Sequence, residues 1–282
     1  MKYKITDIAH PDNPNLKRIR ALRDIPEIGI KKHDLGGYIQ CEHNLSQEGI
    51  CWISGNAIVS GYAIVSGNAI VSGNAKVYGN AKVFENAYVS GNAWVSGDAK
   101  VSGNAQVSGY TWVSGYAKVS GHAQVYGDAK VSGNVHVFGT AKICQSMRIE
   151  YGNVTTDLSL KENIGDSIQA QCNLPVLKDD QGQYVFGYKH VIKTDQENVF
   201  SSKYDPKFEY EIGKWSEAKN PDLSDKSCTS GLHFSYITYW IGQDCNAVIQ
   251  VKCYLDDIIT VQEGKIRAKK LFVQGVIENA CL

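Results

Sequence analysis

The most regular feature of the sequence is an aliphatic residue at every sixth position from Ile53 to Ile149, seventeen in succession. A small residue, usually Ala, sits four positions after these residues, with Thr111, Val135 and Met147 as exceptions, and the commonest repeat reads V-S-G-N-A-x. In A-x-V, the Ala and the Val point to one side of a short strand and x points to the other. Gly and Asn favour a tight corner, because both accept positive φ at little cost. Each hexad therefore predicts one short strand and one corner.

Stacking of these hexads predicts a triangular prism. Three hexads close one coil of 18 residues, and successive coils are expected to lie about 4.8 Å apart, the usual strand spacing. The seventeen hexads give nearly six coils, with Val filling the interior and Ala allowing close approach near the corners. One hexad alone cannot bury its apolar face, so contacts between coils must stabilise the array.

The V-S-G-N-A-x pattern resembles the hexapeptide repeat of left-handed β-helix proteins, a group best known for its acyltransferases. The resemblance implies a mainly β chain with a left-handed parallel β-helix of about six coils over residues 51–152. Residues 1–50, above all 34–39 and 49–52, resemble the N-terminal cap of a hexapeptide-repeat family of phages, prophages and bacteria. They are expected to cover the first coil, whose strand edges would otherwise be unpaired.

The hexad pattern fails after Ile149, because Thr155 occupies the next aliphatic position. Residues 153–282 are predicted to form a connector and a C-terminal α+β domain. Alternating or apolar runs such as 184–192 and 246–255 indicate strands. Residues 230–242 predict a strand or turn that leads into a short helix.

Composition limits the classes of partner and of cellular location. The chain carries 29 basic and 29 acidic residues, which argues against nucleic acid as the main partner. It has neither an apolar N-terminal signal segment nor a run of about 18 apolar residues, so we expect a cytoplasmic protein without a membrane partner. The eight cysteines show no CxxC spacing and are expected to be free thiols, with no metal and no cofactor.

Residues 18 positions apart should lie above one another on successive coils. One such ladder contains Ile58, Lys76, Trp94, Trp112 and Lys130, and a second contains Ile64, Lys82, Lys100, Lys118 and His136. The tryptophans expose a large apolar area, and the lysines add positive charge. The candidate partner-binding residues are Trp94, Trp112, Lys82, Lys100 and Lys118. A solubilising face and self-association, with a trimer favoured, are the alternatives.

An acyltransferase would need a histidine as general base, and the prism offers His122 and His136. His122 occupies a corner position, and His136 is an outward residue of its strand. The repeats contain no inserted loop that could cover an acyl donor and an acceptor, so neither histidine is assigned a catalytic role.

Two resemblances concern the C-terminal domain. Residues 228–235, Cys-Thr-Ser-Gly-Leu-His-Phe-Ser, followed by Thr-Tyr-Trp at 238–240, resemble a motif of ADP-ribosyltransferase-like folds, which implies that a dinucleotide lies against them. Residues 210–218 together with 228–233 resemble an uncharacterised domain, with a GLHF motif, of phage and bacterial proteins. The late strand carries Gln274 and has Glu278 only near its end, which departs from the catalytic glutamate of the transferases. The candidate ligand-binding residues are His233, Ser230, Tyr239, Tyr188, Arg267 and Lys269.

The sequence thus predicts a non-enzymatic interaction protein of phage or prophage type. In this hypothesis a rigid, oligomeric β-helix presents the C-terminal domain to a host protein or to a nucleotide-like ligand in the host cytoplasm. An ADP-ribosyltransferase-like nucleotide-binding domain and a hexapeptide-repeat acyltransferase are the alternatives, so enzymatic activity stays open.

Overall fold

In a computed structural model, which describes residues 1–144, 146–224, 229–240 and 245–277, the chain divides into two compact units. The first unit, Met1–Ser159, is a parallel β-solenoid of about six coils with an N-terminal cap. The second, Leu160–Leu282, is built on an antiparallel sheet. The predicted fold class, mainly β with a β-helix and a separate C-terminal domain, is confirmed.

The cap extends one face of the solenoid. Strands β1 (Tyr3–His10) and β2 (Asn13–Ala21) form an antiparallel hairpin, and β3 (Leu35–Ile39) pairs antiparallel with β2. The other edge of β3 pairs in parallel with the first strand of that face, Tyr38 lying opposite Ile58. Short 3-10 turns occupy Pro26–Ile28 and Glu42–Asn44.

The solenoid strands are each two residues long. They are β4 (Trp52–Ile53), β5 (Ile58–Val59), β6 (Ile64–Val65), β7 (Ile70–Val71), β8 (Lys76–Val77), β9 (Lys82–Val83), β10 (Tyr88–Val89), β11 (Trp94–Val95), β12 (Lys100–Val101), β13 (Gln106–Val107), β14 (Trp112–Val113), β15 (Lys118–Val119), β16 (Gln124–Val125), β17 (Lys130–Val131), β18 (His136–Val137), β19 (Lys142–Ile143), β20 (Arg148–Ile149) and β21 (Asn153–Val154). Every third strand belongs to the same parallel sheet, which gives three flat faces.

The hexad chemistry explains this regularity. The second residue of each strand is buried, and the first is at least partly exposed in every strand except β4, where Trp52 is 1% exposed. Backbone amides donate to the next coil, as Ile58 N does to the Ala75 carbonyl at 2.9 Å. Most corner glycines have positive φ, for example +65° at Gly61, where a Cβ would lie 3.3 Å from the backbone nitrogen of Gly79. The predicted 18-residue repeat is confirmed by the register, since Trp94 lies opposite Trp112.

The array continues for one strand beyond the last regular hexad. Val154 lies opposite Val137, so this coil is 17 residues long instead of 18. The corner after Ile149 has one residue fewer than usual, and Gly152 turns it with φ +70°. The sequence break at Thr155 is therefore a shortened corner that keeps an aliphatic residue in the interior, at Val154.

In its described residues, the second unit contains the helix α1 (Ile164–Cys172) and ten strands. The strands are β22 (Val176–Asp179), β23 (Gly182–Lys193), β24 (Val199–Ser201), β25 (Glu209–Glu211), β26 (Trp215–Glu217), β27 (Leu232–Ser235), β28 (Ala247–Tyr254), β29 (Ile258–Gln262), β30 (Lys265–Ala268) and β31 (Lys270–Val276). The main path of the sheet is β26-β31-β28-β23-β27-β30-β29, while β22 pairs with β23 and the pair β24–β25 joins the end of β23. Two 3-10 turns, Lys161–Asn163 and Leu255–Asp257, complete the described elements.

The helix lies in the segment that was expected to be a connector. It forms there because Ile164, Ile168 and Cys172 recur every four residues and pack on the sheet core. It ends at Asn173, whose φ of +53° is left-handed. The short helix predicted after Ser235 is not seen in residues 236–240, which form a turn, and the remainder of that prediction, residues 241–242, lies outside the described residues.

Over the described ranges, the structure contains no helix both long and apolar enough to span a membrane. Among the described cysteines, Cys41, Cys51, Cys172 and Cys253 are free thiols. Cys228 and Cys281 lie outside the described residues.

Candidate functional site

The C-terminal sheet brings three of the predicted ligand-binding residues together. In the antiparallel pair β27–β30, His233 lies directly opposite Arg267, and Ser235 lies opposite Lys265. On the other side of β27, Tyr188 of β23 lies opposite Ser235. Directly opposed residues, and residues two apart on one strand, share a face of the sheet. His233, Arg267 and Tyr188 therefore lie on one face, together with Lys265.

His233 is neutral at physiological pH because its surroundings are apolar and positively charged. Burial, followed by the charges of Lys189, Arg267 and Lys265, lowers the pKa of His233 to about 4. A hydrogen bond with the backbone of Gly231 raises the pKa of His233 and so opposes this shift. Because this bond favours the protonated ring, the imidazole N–H is the donor and the Gly231 carbonyl is the acceptor. The buried Nε2 atom has no hydrogen-bond partner within the described parts of the chain. The donor is therefore Nδ1, and Nε2 of the neutral ring presents a lone pair.

Arg267 is 2% exposed although it carries a charge. Its Nη2 donates to the carbonyl of Ser224, and its charge helps to lower the pKa of Asp222, after hydrogen bonds from Ser224. The arginine stem passes against Gly231, where a Cβ would lie 2.7 Å from its Cγ and where φ is +152°. The glycine of the S-G-L-H-F segment is thus required for Arg267 to reach this position.

Ser230 holds the loop that precedes β27. Its hydroxyl donates to the Asn220 carbonyl at 3.1 Å, and its own carbonyl accepts from the amide of Asp222 at 2.9 Å. The hydroxyl of Ser230 therefore has a structural partner, and the loop it fixes is the one that Arg267 binds. The predicted motif residue Cys228 lies outside the described residues.

Tyr239 belongs to an aromatic group after β27. Its ring meets those of Tyr236 and Trp240 edge to face, at centroid distances of 5.4 and 4.8 Å. The segment is positioned by a 3.0 Å contact between Nε2 of His190 and the carbonyl of Ile237. Tyr239 also lies close to Gly264, where a Cβ would be 3.1 Å from its ring. Its ring therefore packs against the turn between β29 and β30.

Lys189 is a functional candidate that the sequence analysis missed. It lies on the core side of β23, and its Nζ donates to the backbone carbonyl of His233 at 2.9 Å and lies 5.2 Å from the ring centre of Tyr210. Burial lowers its pKa to about 8. The available signal was the period-2 pattern of the strand, which puts Lys189 in phase with the core residues Val185 and Val191.

Two other basic residues near the C-terminus, Lys265 and Lys269, have different surroundings. Lys265 lies beside His233 in the sheet and forms an ion pair with Glu263 at 3.3 Å. Lys269, by contrast, donates its backbone amide to the Asp257 carbonyl at 2.8 Å, and its charge acts on the carboxyl group of Asp257. Its charge is not among those that shift the pKa of His233. The structure therefore brings Arg267 to His233 and leaves Lys269 elsewhere.

The predicted ladders of the solenoid are present in the expected register. Trp94 and Trp112 stack with their centroids 5.0 Å apart and their planes at 7°. Lys76 lies 4.9 Å from the Trp94 ring, and Lys130 lies 5.6 Å from that of Trp112. The outer ring faces are thus covered by cations, so solvent reaches mainly the ring edges, although Trp112 is 47% exposed. The neighbouring face carries exposed Lys82, Lys100 and Lys118 in one line.

The two solenoid histidines occupy ordinary repeat positions. Nε2 of His136 lies 3.0 Å from the hydroxyl of Ser120, and its ring packs on Phe138 at 4.5 Å. Burial and then Lys118 lower its pKa. Ser72 and Tyr88 make the same contact between coils at 3.0 Å, so the Ser120–His136 pair follows from the stacking. His122 lies in a corner, where its amide donates to Gly139 at 2.8 Å.

Comparison with known proteins concerns the solenoid. Residues 53–67 and 123–139 match the model of the YdcK beta solenoid repeat. No curated protein matches the chain. The chain is thus similar to a β-solenoid repeat in its first unit, and this match does not extend to the second unit.

Proposed function

We propose that this chain is a non-enzymatic interaction protein whose C-terminal unit binds a nucleotide-like ligand beside His233. The observation that carries the proposal is the lone pair on the buried Nε2 of His233, surrounded by the charges of Lys189, Arg267 and Lys265. Buried polar atoms usually have a hydrogen-bond partner. A ligand hydroxyl would supply that partner to Nε2, and an anionic group on the same ligand would be attracted by the nearby positive charges.

A nucleoside diphosphate fits this combination. The cations attract its phosphates, since Lys and Arg are common phosphate partners in proteins. The neutral imidazole accepts a hydrogen bond from a ribose hydroxyl at Nε2, which an imidazolium could not do. The aromatic group around Tyr239 offers ring surfaces for a base.

The solenoid serves in this proposal as a rigid, oligomeric platform of phage or prophage type in the host cytoplasm. Its support is the unbroken array of short strands, which leaves no inserted loop for an active site between Trp52 and Ile149 in the described residues. The resemblance of residues 1–50 to phage and prophage caps supports the origin. Exposed Lys82, Lys100 and Lys118 offer a contact face for a host protein.

Calorimetric titration of the full chain with ADP, adenosine and pyrophosphate tests the ligand. We expect ADP to bind more tightly than either fragment. His233→Leu should weaken ADP binding about tenfold and leave pyrophosphate binding unchanged, because only a hydrogen bond to a hydroxyl is lost. Lys265→Met should weaken both, and Lys269→Met is the matched control that should weaken neither. Equal ADP affinity in all four proteins, or no ADP binding, would refute the proposed site.

Two further measurements address the rest of the proposal. Native mass spectrometry should show an oligomer, and a single-subunit mass would contradict the platform. Incubation with NAD or acetyl-coenzyme A should leave both intact. Release of nicotinamide would instead establish the ADP-ribosyltransferase alternative. Acyl transfer that requires His122 or His136 would establish the acyltransferase alternative.

A further inference from the structure

The N-terminal cap contains a buried lysine in contact with a buried cysteine. Lys2 is 1% exposed, and its Nζ lies 3.0 Å from the Sγ of Cys51. The same nitrogen donates to the carbonyls of Cys51 at 2.8 Å and of Glu48 at 3.2 Å. These three contacts account for the three hydrogens of the ammonium group. Among the described residues, Lys2 forms no ion pair with a carboxylate.

The backbone on both sides of the pair is fixed. Oε1 of Gln47 accepts from the Lys2 amide at 2.8 Å, and the Tyr3 hydroxyl donates to the Leu45 carbonyl at 2.6 Å. The Lys2 nitrogen and the Cys51 sulfur are therefore held at a separation typical of reacting atoms, which removes most of the entropic barrier to bond formation between them.

A small oxidant can approach this pair from the surface of the cap. Glu48, whose carbonyl accepts from the Lys2 Nζ, is exposed, and Met1, next to Lys2 in the chain, is 87% exposed. The cap is also the end of the array, where local opening requires the least disruption of stacked coils. Hydrogen peroxide is small and reacts with thiols to give sulfenic acid.

We propose that Lys2 and Cys51 form a peroxide-induced sulfur–nitrogen crosslink. Peroxide first oxidises the Cys51 thiol to sulfenic acid, and one water leaves. The Lys2 ammonium releases one proton to solvent, and its nitrogen attacks the sulfur. The S–O bond breaks, and the hydroxyl leaves as a second water with a further proton from nitrogen. The net reaction converts one ammonium, one thiol and one peroxide into one S–NH linkage, two waters and one proton. Sulfur is oxidised, and peroxide is reduced.

This crosslink would tie the strand β1 to the first coil and make the cap sensitive to the redox state of its surroundings. Thiols would reverse it, since a sulfenic acid and its nitrogen adducts belong to the reversible steps of cysteine oxidation. Neither Cys172 nor Cys253, which are also buried, has a lysine nitrogen within hydrogen-bond distance in the described structure.

Peptide mapping of the full chain after peroxide treatment tests the proposal. Trypsin should release residues 1–4 joined to residues 33–76, at a mass about 2 Da below the sum of the two peptides, as for any bond formed with loss of two hydrogens. Dithiothreitol should separate them. Cys41→Ser is the matched control, because Cys41 is an exposed thiol in the same peptide and its loss should leave the link intact. Cys51→Ser should abolish it.

The wild-type map decides the question even if a variant folds poorly. Recovery of residues 1–2 and 3–4 as free peptides would overturn the proposal. In that case Cys51 would be found as a thiol, as a sulfinic acid, or in a disulfide with Cys41.

Discussion

Replacing Lys189 by Met is expected to stabilise the C-terminal unit at neutral pH and to destabilise it at high pH. Burial lowers the pKa of Lys189 from 10.5 to about 8, and at 1.36 kcal/mol per unit this costs the folded state about 3 kcal/mol below pH 8. Met fills a similar volume without charge. The variant loses the hydrogen bond to His233 and the contact with Tyr210, about 1 kcal/mol each. The net gain near pH 7 is therefore about 1 kcal/mol.

The sign of the pH dependence follows from proton binding. Because the folded pKa lies below the unfolded one, the unfolded chain binds more protons between pH 8 and 10.5, and wild-type stability rises across that window. The variant lacks this rise, so the difference between the two proteins should change by about 3 kcal/mol and reverse its sign.

Urea unfolding at several pH values measures this difference when it is followed by pulsed alkylation of Cys172 and Cys253. Both thiols are fully buried in the core of the C-terminal unit, so their reactivity reports its unfolding without a contribution from the solenoid. Lys193→Met, at the exposed end of the same strand, is the control and should track the wild type. Parallel pH profiles for wild type and Lys189→Met would refute the assignment of a buried, destabilising ammonium at this position.

Three further substitutions, and a fourth that serves as a control, test the solenoid by thermal or urea unfolding. Gly103→Ala should cost about 2–3 kcal/mol, since φ is +66° and the new Cβ would lie 2.8 Å from the Gly121 nitrogen. Gly29→Ala is the control: φ is +70°, but the space around it is open, so it should lose only about 1 kcal/mol. Equal losses would contradict the role of contact between coils. Glu85→Gly should gain about 1 kcal/mol by relieving a φ of +60° at a corner where glycine is usual. A loss would show that the hydrogen bond that the Glu85 carboxylate accepts from the Gly103 amide outweighs the strain. Thr111→Val should gain about 1 kcal/mol, because the Thr111 hydroxyl is buried without a partner in the described residues; a lower midpoint would mean that the hydroxyl is satisfied.

The solenoid could be predicted from sequence because its contacts repeat at a fixed distance along the chain. The 18-residue register that stacks Trp94 on Trp112 and aligns Lys100 with Lys118 follows from counting hexads. Counting could not show the last strand, where a corner one residue short puts Val154 in the place that the pattern gives to Thr155. A strict period detects only repeats of constant length.

The C-terminal site could be predicted only in part, because its contacts depend on which strands become neighbours. Alternation located the strands that contain residues 184–192 and 246–255, and the S-G-L-H-F segment located His233. The pairing of His233 with Arg267, 34 positions later, depends on sheet order, which local pattern does not encode. Lys269 was grouped with Arg267 because the two are close in sequence, but Lys269 lies in the bend between β30 and β31, outside the strand that places Arg267 beside His233.

The lysine ladder of the solenoid and the cationic cluster beside His233 differ in how much they destabilise the folded state. On the solenoid, Lys82, Lys100 and Lys118 are exposed, so their mutual repulsion amounts to about 1 kcal/mol per neighbouring pair and is screened by salt. In the C-terminal unit, the buried ammonium of Lys189 alone costs about 3 kcal/mol, and its hydrogen bond holds the backbone of His233. Strongly shifted pKa values, such as that of Lys189, are concentrated at functional sites. The cationic cluster beside His233 is therefore the place where binding should be sought first.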